Sequence, residues 1–217
     1  MLLLISAHVF PQFSKTHYIP PLSSSPDVIP EDQYLYISTP SLTPVSFRIT
    51  NLGGGIEEGT VSRDEPYVSF VGFGSDTQLN VDSSEVSGIL ENKGFIVEAE
   101  DLIYVTARVI AGSSNQAGIV VSKGLAALGT SFRVGGYTNI LSPGFTSVHY
   151  TFVSILATEN NTHVSFADIK PGVVLINNQA SGSAPADIVL NSGQSFVMAV
   201  MGPTEANRDG LIGALIT

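Results

Sequence analysis

Apolar and polar residues alternate with a period of two along most of this chain, in short runs that predict β-strands. The runs are Tyr34–Ser38, Val45–Ile49, Val68–Phe73, Phe95–Ala99, Leu102–Val109, Ile119–Ser122, Ser131–Val134, Phe152–Ala157, Thr162–Phe166, Val173–Ile176, Ser195–Val200 and Leu211–Ile216. Turn residues punctuate them: Pro20-Pro21, Ser23–Pro26, Gly53–Gly55, Asn92–Gly94, Pro143-Gly144, Pro171-Gly172 and Asp209-Gly210. Helical periodicity is nearly absent; Ser122–Leu128 reads as one turn of helix or a loop. Short, regularly spaced strands predict an all-β protein of antiparallel sandwich-like units, with a propeller-like meander as the alternative.

The pattern also repeats. Tyr34–Phe47 lines up without a gap on Val153–Phe166, each an apolar strand, a polar turn and a second alternating strand. Lys15–Ile19 matches Gly129–Arg133, Leu79–Asp82 matches Val189–Ser192, and Asn92–Ile96 matches Asn207–Ile212, in the same order. A spacing of roughly 110–120 residues is too long for a solenoid repeat and suits a small domain. The expected organisation is a first β repeat over 12–128 and a second over 129–217. The second copy stops where the first runs on into Glu98–Val109, so the expectation is a repeat truncated at its last strand, in a fragment of a longer protein. Met1–Phe10 is apolar but too short to span a bilayer. It resembles the end of a signal-peptide apolar region, giving a remnant over 1–11, or else an ordinary first strand.

Composition narrows the function more than it names it. A net charge of −10, with nine scattered Lys and Arg against nineteen Asp and Glu, argues against nucleic acid or an anionic membrane as partner. Cysteine is absent, so disulfides, zinc thiolates and cysteine nucleophiles are excluded. None of His8, His17, His149 and His163 has a second ligand at metal spacing, and His163 falls in a predicted hairpin turn; all read as surface or packed histidines. No nucleophile elbow, phosphate-binding loop or zinc-protease motif occurs. The expectation is a non-enzymatic chain with no cofactor and no metal.

Loops at the ends of a β scaffold are where binding usually resides. The first copy carries extra residues between Ile49 and Leu79, including Gly53, Gly54, Gly55, Glu57 and Glu58, and these five are the candidate binding residues. The second copy is longer around Asn139–Tyr150. Glu98, Glu100 and Asp101 read as a solvated turn. Tyr67, Phe70 and Phe73 raise the idea of a carbohydrate-stacking platform, but strand alternation separates Phe70 from the other two and points to core packing.

Ser122–Val134, Ser154–Phe166, Asn191–Phe196 and Gly210–Thr217 together resemble the N-terminal domain family of IgGFc-binding protein, and Phe13–Pro21 is similar to the mature start of large bacterial surface members. The resemblance is strongest over Ser122–Thr217 and weaker over Gln12–Ala111. It implies a tandem β architecture, export, and a place in a multidomain cell-surface protein; it implies no catalytic residues, and Fc binding does not carry over with it. The expected function is therefore a non-catalytic extracellular adhesion or interaction module of a larger bacterial surface protein. A structural spacer and a carbohydrate-binding accessory of a polysaccharide-active enzyme are the alternatives. A glycan or glycoprotein surface and neighbouring β domains of the same chain are the expected partners.

Overall fold

The computed structural model describes residues 12–111, 116–138, 150–178, 184–202 and 204–217. Its strands follow in the order β1 (Ser14–Ile19), β2 (Leu22–Ser23), β3 (Pro30–Ser38), β4 (Val45–Asn51), β5 (Ile56–Val61), β6 (Tyr67–Gly72), β7 (Asn80–Val81), β8 (Ile89–Leu90), β9 (Phe95–Ala111) and β10 (Gln116–Val121). After a 3-10 turn at Gly124–Ala127 come β11 (Phe132–Arg133), β12 (Tyr150–Leu156), β13 (Thr162–Val164), β14 (Phe166–Ala167), β15 (Ile188–Leu190) and β16 (Ser195–Met201). A short helix α1 (Glu205–Asp209) and β17 (Leu215–Ile216) complete the order. The protein is all-β, with antiparallel sandwich-like sheets rather than propeller blades.

The first half is organised by β9, a single strand of 17 residues. Its beginning lies between β1 and β4, with Ile19 and Asn51 both opposite Phe95. Its end lies between β3 and β10, with Gln33 and Gly118 both opposite Val109. One strand thus passes from one layer of the sandwich into the other, and β5 and β6 extend the two layers at their edges. Inward residues of both layers (Phe47, Ile49 and Val97 from one, Leu35, Ile37 and Val105 from the other) form one buried core.

Two expectations change here. Glu98–Asp101, read as a turn, is continuous strand: Glu98 is paired on both sides, opposite Thr16 and Arg48. The acidic cluster is solvated as expected, but on strand, where the Lys15 ammonium donates to the Glu100 carbonyl at 2.7 Å. Ile56–Val61, read as part of a loop, is strand β5, registered on β4 from Val45–Val61 to Thr50–Ile56. Only its last residue is buried, so it carries little apolar alternation.

Three buried polar groups tie this half together. Lys93 is buried, and its ammonium is neutralised by Asp76 and donates to the Thr77 carbonyl at 2.7 Å. Gln33 is buried, donating to the Gly74 carbonyl at 2.7 Å and accepting from the Thr77 hydroxyl at 2.6 Å. His17 is fully buried, with Nδ1 2.9 Å from the Ser122 hydroxyl and Nε2 3.0 Å from the Ile103 carbonyl. A carbonyl only accepts, so Nε2 carries the proton, Nδ1 accepts from Ser122, and the ring is neutral.

Burial holds His17 below its usual value, partly offset by its backbone hydrogen bonds. A depressed folded value means that the unfolded chain takes up the proton first. The stability contribution is present above about pH 6.5 and is lost as pH falls below it. The urea midpoint should therefore fall between about pH 7.5 and about pH 5.5, before most carboxylates titrate. An unchanged midpoint over that interval would contradict the assignment.

The second half shows the same pairing order as the first. In the first half β1 and β4 flank β9, β3 pairs with β6, and β4 pairs with β5. In the second, β11 and β14 flank β17, β12 pairs with β16, and β13 pairs with β15. Leu79–Asp82 and Val189–Ser192, matched by sequence, take different places: Asn80 and Val81 form β7, parallel to β2, whereas Val189 lies in β15 against His163. His163 stands on β13, not in the turn, which forms at Asn160 and Asn161. Of Leu211–Ile216 only β17 is strand, and Val173–Ile176 contributes a single bridge, Leu175 to Val200.

The halves interlock. β8, from the first, pairs with β16, from the second, through Ile89–Phe196 and Leu90–Ser195. Val81, Val86 and Leu90 share a buried cluster with Val197 and Ala199. Asn177, with φ 57°, aims its amide at the carbonyls of Ser83, Ser84 and Val86 at 3.0, 3.1 and 3.2 Å. The boundary expected between 128 and 129 is thus bridged by a strand and a core.

Candidate functional site

The layer formed by β6, β3, the end of β9, and β10 buries one face and leaves the other to solvent. Leu35 and Ile37 point inward, so Tyr34 and Tyr36 point outward. Register then fixes two rows across the outer face. One row runs Phe70, Tyr34, Arg108, Ile119, and the next runs Val68, Tyr36, Thr106, Val121. Phe70 is 59% exposed, Ile119 64% and Val68 47%. The Tyr34 ring centroid lies 5.4 Å from Phe70 and 5.9 Å from Tyr36, at interplanar angles of 58° and 53°. Rings tilted in this way make a notched aromatic surface rather than a flat one.

Two charged residues belong to the patch. Asp32 lies near Tyr34, and desolvation together with this carboxylate pushes the phenol above its usual range. Arg108 stands directly opposite Tyr34. Its Nε is buried without a hydrogen-bond partner, and the guanidinium makes no ion pair among the described residues. Arg48, Arg133 and Lys170 pair with Glu58, Asp168 and Asp209, and Arg63 donates to the Pro40 carbonyl at 3.0 Å; what sets Arg108 apart is its buried, unpartnered Nε.

The expected core role of the aromatic stretch is corrected in part. Tyr67 does pack inward, 4.7 Å from the Phe47 ring. Phe70 lies on the opposite face, as alternation requires, but that face is solvent. Phe73 is 64% exposed because β6 ends at Gly72 and the chain turns away, with Gly74 at φ 102° donating to the Pro30 carbonyl at 2.9 Å.

The glycine-rich candidates occupy the turn between β4 and β5. Gly54 and Gly55 adopt φ of 104° and 102°, conformations that disfavour other residues. Glu57 and Glu58 follow on β5 and project to opposite faces. The Glu57 carboxylate accepts from the Tyr67 and Ser69 hydroxyls at 2.5 and 2.6 Å. Glu58 pairs with Arg48, 2.6 Å from Nη2. The structure therefore does not bring Gly53, Gly54, Gly55, Glu57 and Glu58 together around one point, and both carboxylates already have partners. The signal-peptide segment 1–11, His8, His149 and nearly all of the 139–150 loop lie outside the described residues. Among the described residues no three acids or histidines converge as metal ligands, and no helix is long and apolar enough to cross a membrane.

Comparison with curated proteins finds no match. The crystal structure of Thermotoga maritima 1070 aligns at 12% identity over 51% of this chain and 97% of that one, with a TM-score of 0.29. Residues 117–217 match the family described as IgGFc binding protein. The matched segment holds β11 to β17 and nearly all of β10, whereas Tyr34, Tyr36, Phe70 and Arg108 precede it. Over residues 117–217, a little under half of the chain, the sequence is thus similar to the IgGFc-binding family.

Proposed function

We propose that this chain is a non-catalytic extracellular interaction module of a larger bacterial cell-surface protein, binding through the outer face of β6, β3, β9 and β10. The observation that carries the reading is the outward-facing cluster of exposed Phe70 with half-buried Tyr34 and Tyr36, beside an Arg108 that makes no ion pair among the described residues. Solvent-facing aromatics next to an uncompensated charge do nothing for the core, and aromatic and Arg side chains dominate binding hot spots. The family match over 117–217 supports an extracellular binding role. The shared pairing order supports a tandem duplication of one β unit, with the two copies locked by β8. That rigid linkage favours the spacer as second reading, a stiff element that displays other domains.

A glycan and glycoprotein binding screen tests the choice, run beside Phe70→Ala. Phe70 is exposed, so the substitution leaves the core intact. The expected result is saturable, selective binding that weakens at least about tenfold in the variant, as for an aromatic anchor. Absence of selective binding by the folded, monomeric chain would leave the spacer.

A further inference from the structure

We propose that the outer face recognises a carboxylated sugar, its carboxylate meeting Arg108 and its ring lying against Phe70, Tyr34 and Tyr36. This deepens the binding role proposed above and rests on it. Charge gives the first argument. The chain carries a net charge of −10, yet the row that holds Phe70 and Tyr34 also holds a guanidinium with no ion pair among the described residues. Its buried Nε lacks a partner, so part of the group has lost water without gaining a hydrogen bond. A planar fork in that position suits a carboxylate, which it grips through two parallel hydrogen bonds.

The neighbours decide what carries the carboxylate. Phe70 and Tyr34 stand in the same row as Arg108, and Tyr36 lies in the next. Their tilted rings offer faces to a single sugar ring rather than to an extended flat polymer surface. Asp32, beside Tyr34, supplies an acceptor for hydroxyl donors. It also repels a ligand with many negative charges. One carboxylate, several hydroxyls and an apolar ring face together describe a uronic or sialic acid residue. An acidic peptide meets the Arg108 requirement but presents few donors to Asp32.

The test uses the whole chain, titrated with a glucuronate-containing hexasaccharide and with sialyllactose, each beside its carboxyl-reduced form. Binding of at least one acid form is expected. Carboxyl reduction and Arg108→Gln should each weaken it by about tenfold to a hundredfold, the range for a charge-assisted hydrogen bond. Arg108→Lys should recover only part, because it keeps the charge and loses the fork. Added salt should weaken binding by the chain and have little effect on Arg108→Gln. Binding of a neutral glycan, an acidic peptide or a glycoprotein that is lost in Phe70→Ala but indifferent to carboxyl reduction would overturn the carboxylate inference and leave the interaction module standing. No saturable binding of any probe would remove both.

Discussion

Replacing Gly94 with alanine should destabilise the chain by about 2–6 kcal/mol, while the same change at Gly54 should cost about 1–3 kcal/mol. The two glycines share nearly the same backbone, with φ of 102° and 104°, so both substitutions carry the penalty of a conformation that disfavours a side chain. Their surroundings differ. A Cβ at Gly54 meets nothing within 4 Å, whereas at Gly94 it falls 2.7 Å from the Ile19 carbonyl oxygen, 3.4 Å from Pro21 Cδ and 3.5 Å from Leu52 Cδ1. The carbonyl belongs to the backbone of β1 and cannot rotate away. Gly94 also donates to the Gln78 carbonyl at 2.9 Å and accepts from the Leu52 amide at 3.2 Å, so moving it disturbs both contacts. It directly precedes β9, to which both layers of the first half are attached. Urea midpoints of the two variants at one pH measure the difference. Equal losses would mean that only backbone conformation matters, and that β1 does not approach Gly94 as described.

The strand rhythm was legible because short alternating runs with Gly and Pro between them have few other ways to fold. Beyond that, legibility depended on who the partners were. Glu98–Asp101 is acidic enough to read as a turn, yet β1 and β4 pair with β9 through Glu98 on both sides, and β3 takes over from Tyr104. β5 stayed hidden because an edge strand with Glu57, Glu58 and Gly59 at its centre buries almost nothing. The Gly53–Gly55 turn between two chain segments of similar length was the available signal for a hairpin. The outer face was ambiguous for a different reason. Leu35 and Ile37 alternate with Tyr34 and Tyr36, so both faces of β3 read as apolar, and a period of two separates faces without saying which is buried. Only the partner layer, which covers Leu35 and Ile37, decides. Arg108 gave no signal at all, since its lack of an acidic partner is a fact of three dimensions.

Phe196→Ala should lower stability by about 3–5 kcal/mol, a large share of the roughly 5–15 kcal/mol that holds a domain folded. Phe196 is 2% exposed and its ring centroid lies 5.5 Å from that of Phe166. Its strand, β16, is buried on both faces: Phe196, Met198 and Val200 enter one core, and Val197 and Ala199 enter another. That explains its nearly unbroken apolar run, which ordinary half-buried strands lack. The second of those cores contains Val81, Val86 and Leu90 from the first half, and Phe196 itself stands opposite Ile89 of β8. A cavity beneath Phe196 therefore loosens a strand on which both halves depend. Urea unfolding should remain a single transition, shifted to lower denaturant. Hydrogen exchange should accelerate at Ile89 and Leu90 as well as across β12. Val189→Ala, on an exposed side of β15, serves as control and should change stability by no more than about 0.5 kcal/mol. If exchange at Ile89 and Leu90 stays as slow as in the unaltered chain while β12 opens, the halves unfold separately and β8 is a contact rather than a lock. If β8 and β12 lose protection together, the two halves behave as one cooperative unit, and a ligand on the first half is held on a scaffold whose stability depends on the second.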